Sequence, residues 1–176
     1  MAGSLIKIDE EIVTSAVSSV SLGGSNWDTS YDVYKLVISN ATCSANAVMQ
    51  LRVNVSSSPD TTSNYDYATK TLKADGTFEN NTQTNGTSVP VTPQRLLTGN
   101  SFGLNGILYI FNANNSSEYT FLTNEIASWR ENSNITGGQG GIVHTVAQAI
   151  NGFTFYMDLG TDSFTTGNFK LYGLKK

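Results

Sequence analysis

GILYIFNANNSSEYTFLTNEIASWRE, residues 106–131, decides the fold class. Ile107, Tyr109 and Phe111 alternate with Leu108, Ile110 and Asn112, then a cluster of small and polar residues turns the chain, and Tyr119, Phe121 and Thr123 alternate with Thr120, Leu122 and Asn124. A period of two on both sides of a polar turn is the pattern of two paired strands. The first run is apolar on both faces, as a strand inside a sandwich can be, and the second becomes mixed toward Glu125, Arg130 and Glu131, where it should reach solvent. This hairpin is expected at the centre of a sheet.

Outward from it the chain reads as strand after strand. Leu5, Ile6 and Ile8 make a short first strand, and Val13, Val17, Val20 and Leu22 a second; their spacing also fits a helix, but the intervening Ser and Thr disfavour one. VYKLVI (33–38) follows a loop, SNWDTSYD (25–32), and MQLRVNV (49–55) alternates cleanly. Residues 65–72, 142–150, 153–159 and 169–174 complete the set, with Gln94 to Thr98 and Phe102 to Leu104 leading into the central hairpin. NSNITGGQGG (132–141) reads as a flexible turn, and residues 161–168 as another. Residues 74–92, ADGTFENNTQTNGTSVPVT, read as a polar loop; the alternative is a hairpin of two thin strands around Asn85-Gly86. About ten strands with frequent turn signals predict one all-β domain over residues 1–176, an antiparallel jelly-roll-like β-sandwich, with residues 1–12 as an extended N-terminal segment.

Composition narrows the function. Charged residues are 14% of the 176, below the roughly 25% of ordinary domains, so the polar surface is built from Ser, Thr and Asn. A net charge of -4 without a basic run argues against a nucleic-acid partner. No segment has the roughly 20 apolar residues of a membrane helix, and the N-terminus lacks the pattern of a signal peptide, so synthesis in a cytoplasm is expected. Cys43, the only cysteine, has no neighbouring His or basic residue and is expected to be a buried, unreactive thiol.

Candidate chemistry is sparse. His144 is the sole histidine, with no second ligand near it in sequence. Asp158 and Asp162 with Asp9 or Glu10 are a conceivable calcium set, and Glu125 with Asp28 or Asp32 a conceivable glycosidase pair, but turn hydrogen bonds and strand-end charges account for both. GGQGG lacks the Lys-Ser/Thr of a phosphate loop. The expectation is no enzymatic activity, no cofactor and no metal.

LIKI, SAVSSVSL, TSYDVYKLVIS, LRVNVSSSPDTTSNYDY, GILYIFNANNSSEYTFLT and FTFYMDLGTDSFTTGNFKLYGL, in this order, resemble the small jelly-roll virion proteins of tailed bacteriophages. The likeness covers nearly the whole chain apart from residues 74–92. It implies a capsid decoration or cement subunit, a homo-oligomer with a trimer favoured, located in the virion and packed on major capsid or tail proteins. Contacts are then expected from Leu5, Ile6 and Ile8, adding as an edge strand, and from Phe78 in the polar loop. A tail-fibre or tail-tip adhesin domain that binds host glycans is the alternative, with Trp27, Asp28, Tyr31 and Trp129 as the sugar-contacting residues.

Overall fold

The computed structural model describes residues 4–92, 94–99, 103–131 and 134–174. Among the described residues thirteen strands run in the order β1 Leu5–Val13, β2 Ser19–Gly23, β3 Val33–Cys43, β4 Met49–Val55, β5 Ser58–Pro59, β6 Tyr65–Lys73, β7 Phe78–Gly86, β8 Val89–Pro90, β9 Leu104–Phe111, β10 Thr120–Arg130, β11 Asn134–His144, β12 Gly152–Met157 and β13 Phe164–Leu174. They form an antiparallel sandwich: an eight-stranded sheet in the order β1-β13-β3-β9-β10-β11-β6-β7, and a smaller sheet in the order β2-β12-β4-β5, with β8 also on β4.

The order is that of a jelly roll. β1 pairs with β13, β2 with β12, β3 with β9 and β4 with β8, as if one long hairpin had been rolled up so that its pairs fall alternately in the two sheets. Two insertions then widen the large sheet, β6–β7 between β4 and β8, and β10–β11 between β9 and β12. The core lies between the sheets, where Tyr34, Leu36 and Ile38 of β3, Leu51 and Val53 of β4, Phe153 and Phe155 of β12, and Phe169 and Leu171 of β13 are fully or almost fully buried. Burial of each such side chain contributes about 1.5–3 kcal/mol.

The central hairpin is β9–β10, fourth and fifth of the eight strands, as its pattern predicts. Its outer face, however, is open: Tyr109 and Phe111 are each 37% exposed and Phe121 48%, while Leu108, Ile110, Leu122 and Ile126 are buried. The smaller sheet has fewer strands than the large one, and residues 94–99 run beside the end of β10. There Leu96 bridges to Arg130 and the Leu97 amide donates to the Trp129 carbonyl.

Three expectations are corrected. Residues 74–92 are not a loop: β7 pairs along β6 through a turn at Asp75 and Gly76, and Asn85, with φ 55°, lies at the far end of that strand rather than in a hairpin turn. GGQGG is no turn either, because β11 pairs through it with both β10 and β6. Gly140 suits that position, since a Cβ there would lie 2.4 Å from the Ala68 carbonyl oxygen. Finally, β13 begins at Phe164, within the span read as a turn, and β11 ends at His144. Residues 100–102, including Phe102, and residues 1–3 lie outside the described residues.

Candidate functional site

The loop SNWDTSYD closes one end of the sandwich. Trp27 stacks on Tyr34, with ring centroids 4.2 Å apart and planes at 22°, and tilts against Phe153 at 6.0 Å. Its indole N–H donates to Asn114 Oδ1 at 2.9 Å. The Asn114 amide in turn donates to the Tyr31 carbonyl at 2.8 Å, and the Tyr34 hydroxyl donates to the Asp28 carbonyl at 2.5 Å. Burial pushes the Tyr34 phenol up to about 12. Tyr31 is buried with its ring against Gly173, where a Cβ would lie 2.3 Å from ring carbons. The Asp28 carboxylate accepts the Ser30 amide at 2.9 Å, and hydrogen bonds from the Ser30 hydroxyl and then its amide hold the Asp28 pKa below the usual range. Trp27, Asp28 and Tyr31 therefore come together, with Trp27 and Tyr31 engaged in packing. Trp129 lies near the opposite end of β10, in register with Ile135, and does not join them.

The other candidate constellations do not assemble. Asp9 accepts the amides of Glu10 and Gly23 and the Asn26 side chain, while Asp158 accepts the Val48 amide. Among the described residues no group of three or more His, Cys, Asp or Glu is placed to hold a metal ion. Glu125 sits mid-strand on the outer face of β10 between Ile107 and Gln139, about 17 Å along the strand from the end that carries the Trp27 loop. His144 is fully buried, and its Nε2 lies 2.8 Å from Asp60 Oδ2. Cys43 is buried, which pushes its thiol pKa up.

The predicted contact residues fall on the two edges of one sheet. Leu5 and Ile6 of edge strand β1 are exposed, whereas Ile8 lies at an irregularity of register and packs against the core. Phe78 opens the opposite edge strand, β7, exposed except where the Lys70 ammonium sits 3.8 Å over its ring.

Between these edges lies a surface that the sequence did not single out. Leu5, Leu174, Val33, Phe111, Phe121 and Val143 form one row in register across six strands on the outer face of the large sheet. Of the twelve exposed large hydrophobic side chains among the described residues, nine share this face: Leu5, Ile12, Leu72, Phe78, Tyr109, Phe111, Phe121, Ile135 and Leu174. The outer face of the small sheet is different. There Ser21, Thr154 and Asn54 hydrogen-bond one another, and the Arg52 guanidinium covers Tyr156 at 4.5 Å. Such a concentration of exposed apolar side chains on one face marks an interaction surface. The register that gathers them is not deducible from the individual runs.

No helix among the described residues is long and apolar enough to cross a membrane. No protein-family model, no curated protein and no solved structure matches this chain.

Proposed function

We propose that this chain is a non-enzymatic structural subunit of a bacteriophage virion, a decoration or cement protein that stabilises the particle by packing on neighbouring subunits as a homo-oligomer. The observation that carries this reading is the asymmetry of the sandwich: one sheet has a polar outer face closed by its own hydrogen bonds, and the other a broad face rich in exposed apolar side chains. Two edge strands, β1 and β7, flank that face, each paired on one side only. A subunit meant to be covered on one side has this form. The resemblance of the strand sequences to jelly-roll virion proteins supplies the setting, and the jelly-roll strand order agrees with it. The glycan-binding alternative has less support, because Trp27 has one ring face on Tyr34 and its N–H on Asn114, and Trp129 is remote from it.

Purified protein titrated onto empty phage heads, onto tails and onto host-surface glycans tests the assignment. Saturable binding to heads, with a rise in their thermal stability, is expected. Binding to glycans alone would move the protein to the adhesin class, and reproducible polysaccharide turnover lost on Glu125→Gln would make it an enzyme.

A further inference from the structure

The outer face of the large sheet carries both halves of a contact. Tyr109, Phe111 and Phe121 stand as a ridge on β9 and β10. Beside them a hollow of about 820 Å³ opens over Gly141 of β11 and Ala68 of β6, which are paired in register. Gly141 keeps it open, since a Cβ there would meet nothing within 4 Å. A ridge next to a hollow of its own is what a two-fold interface requires, because the axis sets each copy's ridge over the other's hollow.

The register decides which residues such an axis brings together. Placed parallel to the strands and between β10 and β11, it lays β10 of one copy over β11 of the other, and β9 over β6. Phe121 then meets the partner's Val143 and Gly141, and Tyr109 meets the partner's Ala68. One row farther along, Glu125, Gln139 and Lys70 are in register on β10, β11 and β6. The same axis brings Glu125 of each copy beside the partner's Lys70, an opposite-charge pair formed twice. Asp66, at the rim of the hollow, already accepts the Asn85 amide at 2.7 Å. The extent is sufficient: this axis overlaps six strands, β3, β9, β10, β11, β6 and β7, which at about 4.8 Å spacing and about 25 Å length offer roughly 700 Å² per copy, within the roughly 600–1,000 Å² per partner of a standard interface.

We propose that this face joins two copies of the chain in a two-fold, sheet-on-sheet dimer centred on Phe121, Gly141 and the Glu125–Lys70 pair. The dimer does not depend on the virion role, so a protein that dimerises without binding heads leaves it standing. Light scattering and sedimentation of wild type, Glu125→Lys, Lys70→Glu and the double exchange test it, with thermal melts confirming that each variant is folded. Wild type should be a dimer. Each single exchange sets like charges together at the seam and should weaken association at least about tenfold, and the double exchange should restore it. Gly141→Leu, which fills the hollow, should give a folded monomer. A wild-type monomer at tens of micromolar, a trimer, or a dimer indifferent to the charge exchanges or to the filled hollow would each overturn the proposal.

Discussion

His144 Nε2 lies 2.8 Å from Asp60 Oδ2, and this contact fastens the loop between β5 and β6 to the end of β11. A carboxylate only accepts, so Nε2 carries the proton. The Tyr65 hydroxyl donates to the Asp60 carbonyl at 2.9 Å, and the Thr145 amide to the Asn64 carbonyl at 2.8 Å, so side-chain and backbone bonds hold the same loop.

The pair predicts an acid limit to stability. Burial alone would raise the Asp60 pKa, but hydrogen bonds from Thr62 and His144 outweigh it and hold the carboxyl at about 2. A folded pKa depressed in this way contributes stability that is fully present above the unfolded value, near 4, and is lost as pH falls toward 2. Asp60→Asn should cost about 1–3 kcal/mol at neutral pH. It should also flatten the stability profile between pH 4 and about 2, as urea melts across that range would show.

Trp27 is expected to act through packing. Trp27→Ala removes the stack on Tyr34 and leaves Asn114 Oδ1 without the indole donor, and should cost about 3–5 kcal/mol. Asn114→Ala strands the indole N–H and the Tyr31 carbonyl, at about 1–3 kcal/mol. Denaturant unfolding checks both; a Trp27→Ala protein of unchanged stability would show that the ring does not plug the sandwich.

Two adjacent glycines should respond in opposite ways. A Cβ at Gly140 would lie 2.4 Å from the Ala68 carbonyl oxygen and 2.6 Å from Thr69 Cα, so Gly140→Ala forces β11 and β6 apart and should cost about 1–3 kcal/mol. At Gly141 a Cβ meets open space, so Gly141→Ala should be neutral or stabilising by up to about 1 kcal/mol. Thermal melts of the two variants test the register of β11 directly.

Cys43 should be silent toward thiol reagents in the native state. Its thiol is buried, and burial raises its pKa, so the thiolate that reacts is scarce on both counts. Labelling should follow global unfolding, and fast labelling of folded protein would contradict the packing of β3.

The sequence by itself determined the all-β class, because runs such as MQLRVNV bury one residue in two, and Met49, Leu51 and Val53 do face the core. It also placed the β9–β10 hairpin. It did not reveal β7 or the glycine-rich part of β11, since FENNTQTNG and TGGQGG have no apolar alternation; neighbouring backbones hold them, and a backbone bond leaves no mark on side-chain periodicity. Nor did it say which face of β9 is covered. Ile107, Tyr109 and Phe111 are as apolar as Leu108 and Ile110, and only the tertiary structure, by turning Leu108 and Ile110 toward the core between the sheets, leaves the first set on the open outer face. The shared face that brings Glu125 into line with Lys70 arises from long-range pairing between β10, β11 and β6, which strand patterns fix one strand at a time and cannot add together.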